Sequence, residues 1–204
     1  MELPLNQIIQ GDCLKILKTF PNKSVDLVLT DPPYGIGIAE NPFRQKFTKR
    51  NWDNATPTRE YFDEMRRVSK EQVIWGGNYF GLPPSQCFYV WDKVQPQDFS
   101  SSMCEMAWVS RQAPAKLFRQ RVVSIQKFHP TTKPVELMEW VLGFFPEAQT
   151  VLDPFLGSGT TAVAAKMLGR KYIGIELSKE YCEIAQRRVA SAPIPLFTDQ
   201  QKAA

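Results

Sequence analysis

The sequence predicts an α/β fold, a mostly parallel sheet covered by helices on both faces. Short apolar runs rich in β-formers alternate with stretches of helical periodicity. Most of the runs are continuously apolar, as strands covered on both sides are. The chain has 204 residues, 43% hydrophobic and 23% charged, which is enough to close one core. This composition excludes a disordered chain. No run of about 18 apolar residues occurs. The start, Met1-Glu2-Leu3-Pro4, carries neither the basic nor the apolar region of a secretory signal, so the expected location is the cytoplasm.

Seven runs read as strands: Gln7–Gln10, Val25–Thr30, Gln72–Trp75, Cys87–Trp91, Glu105–Ser110, Thr150–Leu152 and Lys171–Ile175. Between them, Pro57 to Lys70 sets Tyr61, Phe62, Met65 and Val68 on one helical face behind a Thr56-Pro57 start. Pro134 to Phe145 repeats the pattern with Leu137, Met138, Val141 and Leu142. Ser178 can cap a third helix whose Tyr181, Ile184, Ala185 and Val189 face inward, and Pro193 follows its end. The aromatic and Met residues at these spacings read as core. Cys13, Cys87, Cys104 and Cys182 never approach the spacing of a zinc site or a disulfide framework, so reduced thiols and no metal are expected.

Three motifs carry chemistry. A strand ends in Asp31-Pro32-Pro33-Tyr34. This tetrad suits an exocyclic amine of a nucleobase, whose nitrogen is a poor nucleophile because its lone pair is delocalised into the ring. A catalyst must seat the N–H groups in acceptors. Asp31 supplies a carboxylate, and the proline turn can aim a main-chain carbonyl with no proline N–H competing for it. Tyr34 offers a face on which an extruded base can stack.

The second motif runs from Thr150 through Asp153, Phe155, Gly157, Ser158, Gly159, Thr160 and Thr161 into a helical stretch. It reads as strand, glycine-rich turn and helix. About twenty residues on, a strand from Lys171 ends in Glu176, where a carboxylate can take ribose hydroxyls. The loop lacks the Gly-Lys-Ser/Thr of a phosphate cradle and holds no lysine, which points to an adenosine cofactor without phosphates. Near the start, Gln10-Gly11-Asp12-Cys13 precedes an apolar helix pattern, and alone Asp12 reads as a helix N-cap. The third motif, His129-Pro130-Thr131-Thr132-Lys133-Pro134, holds the chain's one histidine. No nucleophile motif accompanies that histidine, so it reads as a positioning or capping residue.

With these residues in place, the sequence resembles the β class of S-adenosylmethionine-dependent DNA amino-methyltransferases, the adenine-N6 and cytosine-N4 enzymes. The tetrad at 31–34, the loop at 155–161 and the segment at 129–134 match in the order of that class, catalytic motif first. The resemblance spans about residues 7–190. It implies a circularly permuted, Rossmann-like sheet of about seven strands with one antiparallel strand. It divides a single domain, 1–192, into a catalytic half (7–92), a short target-recognition insert (93–128) and a cofactor half (129–192), with a flexible tail at 193–204.

The resemblance further implies that Asp31, Pro32, Pro33 and Tyr34 are catalytic. Asp153, Phe155, Gly157, Ser158, Gly159 and Thr160 then surround S-adenosylmethionine, Glu176 takes its ribose and Asp12 its adenine amine. His129, Thr131 and Lys133 fall beside its carboxylate. Aspartate at the head of the tetrad resembles the adenine enzymes, whereas the cytosine-N4 enzymes more often carry serine there. Cytosine-N4 methylation and a catalytically silent DNA-binding protein are the alternatives.

The formal net charge is only +4. Arg44, Lys46, Lys49 and Arg50 crowd one stretch without an acid, and residues 93–128 hold six cations against two acids. DNA is the expected partner, with Lys46, Lys49, Arg50, Arg111, Lys116, Arg119 and Arg121 as contacts. The insert is short, so target reading is brief, or shared with the 44–52 stretch or with the second subunit of a homodimer.

Overall fold

The computed structural model describes residues 2–36, 56–96, 102–121 and 132–193. In chain order the elements are β1 (Gln7–Gln10), α1 (Cys13–Leu17), β2 (Val25–Thr30), α2 (Arg59–Val68), β3 (Ser69–Trp75), β4 (Phe88–Asp92), β5 (Cys104–Val109), β6 (Lys116–Arg119), α3 (Val135–Gly143), β7 (Thr150–Asp153), α4 (Thr160–Met167), β8 (Lys171–Glu176) and α5 (Lys179–Ser191). A short 3₁₀ turn, Gly77–Tyr79, follows β3.

All strands among the described residues join one eight-stranded sheet in the order β1-β8-β7-β2-β3-β5-β4-β6. Only β5 runs against the others: it is antiparallel to β3 and to β4, while β6 is parallel to β4. The expected single antiparallel strand is present, but the sheet has eight strands rather than seven. The eighth, β6, escaped the sequence pattern because it is a four-residue edge strand with mostly exposed side chains and no apolar run. The strand after α2 also starts earlier than expected. Ser69 leaves the helix in an extended conformation (φ −115°, ψ 154°), and its hydroxyl donates to the Met65 carbonyl at 2.6 Å, closing the helix while opening the strand.

Strand β2 shows why the runs are apolar throughout. Leu27 and Leu29 pack on one side with Val141, Leu142 and Ala164, which come from α3 and α4. Val25 and Val28 pack on the other with Leu17, Phe62 and Met65 of α1 and α2. Each such fully buried side chain contributes about 1.5–3 kcal/mol. Both faces are therefore core, and function is left to the edges where strands end. No helix among the described residues is long and apolar enough to cross a membrane.

Candidate active site

Parallel strands bring β1, β8, β7, β2 and β3 to a common carboxyl edge. Asp12, Glu176, the 154–159 loop, Asp31 and Gly76 follow or end these strands in that spatial order. The reversed strand β5 contributes its beginning to the same edge, because Glu105 pairs with Trp91 and Ala107 with Trp75.

Asp31 sits in a cluster drawn from four separate segments. The Tyr34 hydroxyl donates to Asp31 Oδ1 at 2.5 Å. The Lys133 ammonium lies 2.5 Å from Asp31 Oδ2, 2.9 Å from Glu105 Oε2 and 3.2 Å from the Tyr34 hydroxyl. Lys93 closes the chain 2.7 Å from Glu105 Oε1. The Lys133 side chain is 3% exposed, whereas that of Asp31 keeps 20%, so a ligand can reach the aspartate but not the lysine.

At these separations each ion pair carries a gross attraction of about 6 kcal/mol in an effective dielectric of about 20, while desolvation costs several kcal/mol per ion. Pairing is thus a condition of burial. Burial pushes the Asp31 carboxyl up, against the Lys133 ammonium. Burial also opposes ionisation of Glu105, but Lys133 and Lys93 outweigh it and hold that carboxyl at about 2. Desolvation works against the Lys133 ammonium too, and the two carboxylates overcome it and raise its pKa.

Tyr34 is held by its surroundings. Its ring stacks on Tyr79 (4.8 Å, 12°) and meets Phe80 edge-on at 6.2 Å. Gly76 makes room for it: the residue adopts φ +69°, and a Cβ there would lie 2.1 Å from Tyr34 Cε1. One face of the Tyr34 ring is therefore covered by Tyr79, itself 46% exposed.

The neighbouring side is built differently. Asp12 caps α1, its Oδ1 accepting from the Leu14 N–H at 3.0 Å, so the capping reading holds. Glu176 accepts from the N–H groups of Gly157 at 2.8 Å and Ser178 at 2.7 Å, which ties the second strand end to the glycine loop. Gly157 adopts φ +53°, and a Cβ there would face open space. Gly159, at φ +90°, is needed for a different reason: a Cβ would press within 2.8 Å of Ala185. Phe155 lies 6.0 Å from the Tyr61 ring, and Asp12 helps raise the Tyr61 pKa, after the larger effect of partial burial.

Several expected site residues serve elsewhere. Lys133 is not open to a ligand carboxylate, because Asp31 and Glu105 take its ammonium. Ser158 and Thr160 turn toward α5: Arg188 donates to the Ser158 carbonyl (2.7 Å), the Ser158 hydroxyl (2.9 Å) and the Thr160 hydroxyl (3.2 Å). Asp153 braces the loop from beneath, accepting from the Thr30 hydroxyl at 2.7 Å and the Phe155 N–H at 3.1 Å. Its burial raises its pKa to about 6. His129 and Thr131 lie outside the described residues.

The basic surface also changes. Arg111 lies two residues beyond the end of β5, at the amino ends of the parallel strands and opposite Asp31. There it contacts Glu71 and Glu147, donates to the Phe144 carbonyl at 2.7 Å and stacks on Phe145. Lys116 begins β6 at that same far end, 5.8 Å from the Phe144 ring. Both are thereby removed from the expected DNA surface. Arg119 pairs with Asp92 at the site edge and Arg121 follows it, while Lys46, Lys49 and Arg50 lie outside the described residues. Of the cations of 93–128, Lys93 faces Glu105, and Arg111 faces Glu71 and Glu147.

Sequence reasoning missed Glu105, Lys93, Trp75, Gly76 and Tyr79. Trp75, fully buried, has the Lys133 ammonium 5.4 Å from its ring. Tyr61, expected in the core, packs partly buried against it. The one available signal was Glu105 itself, a charged residue inside an otherwise apolar strand.

This arrangement agrees with the comparisons to known proteins. The family described as DNA methylase, the N6/N4 methyltransferases, matches residues 86–187, half of the chain. The chain is 30% identical to YubD of Escherichia coli (strain K12), a protein assigned as a methylase, over 92% of this chain and 91% of that one. It is 28% identical to the type II methyltransferase M.HinfI of Haemophilus influenzae, over 91% and 68%. Among solved structures, that of the M1.HpyAVI complex with SAM has a TM-score of 0.58 at 22% identity, covering 90% of this chain and 98% of that one. The cytosine-N4-specific PvuII DNA methyltransferase has a TM-score of 0.60 at 16% identity, covering 97% and 89%. At those identities the likeness is one of fold. The chain belongs to the N6/N4 DNA methylase family.

Proposed function

We propose that the protein transfers a methyl group from S-adenosylmethionine to the exocyclic N6 amine of adenine in DNA, with the base flipped out of the duplex to reach Asp31. The observation that carries this reading is adjacency. Strands β2 and β7 are hydrogen-bonded neighbours, so the Asp31 tetrad and the 154–159 loop leave the sheet side by side. A methyl donor and an amine acceptor must meet in just such a place.

The residues present fit the cofactor. Gly157 faces open space, two carboxylates stand at the adjoining ends of β1 and β8, and residues 154–161 contain no lysine or arginine that would call for phosphates. Glu176 would hold the ribose hydroxyls, Asp12 the adenine amine, and Phe155 and Tyr61 the apolar flank. The bound cofactor supplies an electrophilic methyl group on a sulfonium centre. Asp31 accepts one N–H of the target amine, since each carboxylate oxygen has a second lone-pair site beyond those used by Tyr34 and Lys133. The Pro32 carbonyl accepts the other. Together they fix the nitrogen and localise its lone pair toward the methyl group.

Arg119 and Arg121, with Lys46, Lys49 and Arg50, are the proposed DNA contacts. The fold likeness to a cytosine-N4 enzyme supports cytosine as the second reading, because its amine presents the same two N–H groups. Aspartate at the head of the tetrad favours adenine. The test combines calorimetry with transfer of a labelled methyl group to unmethylated DNA. Saturable cofactor binding with transfer is expected; binding of DNA without transfer would make the protein a silent member of the fold.

A further inference from the structure

We infer that Glu105, backed by Lys93, is a positioning residue for Asp31. By sharing the Lys133 ammonium, it leaves the catalytic carboxylate ionised yet still able to accept a hydrogen bond from the target amine. This inference rests on the proposed role of Asp31 and adds residues that no catalytic motif contains.

The geometry is specific. Lys133 stands between two carboxylates at nearly equal distances, 2.5 Å and 2.9 Å, with its side chain almost wholly buried. Lys93, its side chain 12% exposed, takes the other oxygen of Glu105. Two ammonium groups and two carboxylates leave the cluster neutral. Glu105 reaches it only because β5 is reversed, which brings the start of that strand to the edge where its neighbours end.

An ammonium divided between two carboxylates polarises each less than one held by a single partner. If Glu105 lost its charge, Lys133 would pass wholly to Asp31. The aspartate would become a weaker base, and Lys133 would compete directly with the amine for it. The groups facing Asp31 are Lys133, Glu105 and Tyr34, with Asp153 beneath. Of these, Glu105 alone is a second carboxylate bound to the same lysine.

The test measures kcat and KM for methyl transfer from about pH 5 to about pH 9 in the parent, Glu105→Gln, Glu105→Asp and the double variant Lys93→Gln with Glu105→Gln. Cofactor calorimetry and thermal melting are run on the same proteins. The double variant keeps the cluster neutral, so it separates catalysis from folding. Glu105→Gln and the double variant are expected to lower kcat about tenfold and move the acid limb down by about one pH unit, with cofactor affinity within about twofold of the parent. Glu105→Asp should recover most of the loss. A folded Glu105→Gln or double variant with parental kcat and acid limb would overturn the inference and make the cluster a structural clasp. Asp31→Ala is the control: if it keeps transferring methyl groups, the proposed function fails first, whereas an inactive Asp31→Ala beside parental Glu105 variants sinks only this inference.

Discussion

The two halves of the site, neighbours on one sheet edge, are built on opposite plans. Around Glu176 and Asp12, carboxylates are held by backbone N–H groups of nearby residues, and the glycine loop leaves open space. Around Asp31, side chains from four segments neutralise one another in a packed cluster whose lysine is almost wholly enclosed. The first plan suits a ligand that must enter and leave each cycle. The second suits a charge that must stay in one ionisation state and one place, since a preorganised acceptor need not rearrange at the moment of reaction.

If the halves are separable, substitutions should divide cleanly between them. The largest effect is expected for Asp31→Ala, which should lower methyl transfer by at least about a thousandfold while cofactor affinity changes less than about threefold. Comparable losses of both, measured by turnover and calorimetry, would merge the halves. Glu176→Ala should act the other way, weakening the cofactor about 10- to 100-fold, the worth of charged hydrogen bonds, with DNA affinity unchanged.

Asp153 lies beneath the junction and tests stability rather than catalysis. Its folded pKa is raised by burial to about 6 from an ordinary 3.8, so its favourable contribution is complete below about pH 4 and is lost as pH rises through about 6. Asp153→Asn should therefore stabilise the fold by about 2–3 kcal/mol at neutral pH, with the advantage shrinking as pH falls from about 6 to about 4. A melting difference that is flat with pH would contradict this. Smallest of all, Arg111→Met should cost about 1 kcal/mol of stability and leave the salt dependence of DNA binding unchanged. Arg121→Ala should instead reduce the salt slope by about 1.

The contrast also explains what was legible in the sequence. The glycine loop, Glu176 and Asp12 are local: each is a strand end followed by its own turn, and contiguous residues contain the whole signal. The tetrad was equally visible as a motif. Its electrostatic partners were not, because Lys133, Glu105 and Lys93 are far apart in the chain and meet only through the sheet order. The motif that holds Lys133 is legible in the chain, but nothing local shows which anions its ammonium meets, here Asp31 and Glu105. The basic insert misled for a similar reason: counting cations says nothing about acids such as Glu71 and Glu147, which lie outside the counted stretch and engage Arg111. Edge strand β6 was missed because an exposed strand need not be apolar.

The identity of the methylated base tests the account most directly. Expression in a host without DNA methylation, followed by single-molecule sequencing of its genome, reports base and position together. N6-methyladenine at a recurrent sequence, absent with Asp31→Ala, is the expected outcome. N4-methylcytosine in its place would contradict it.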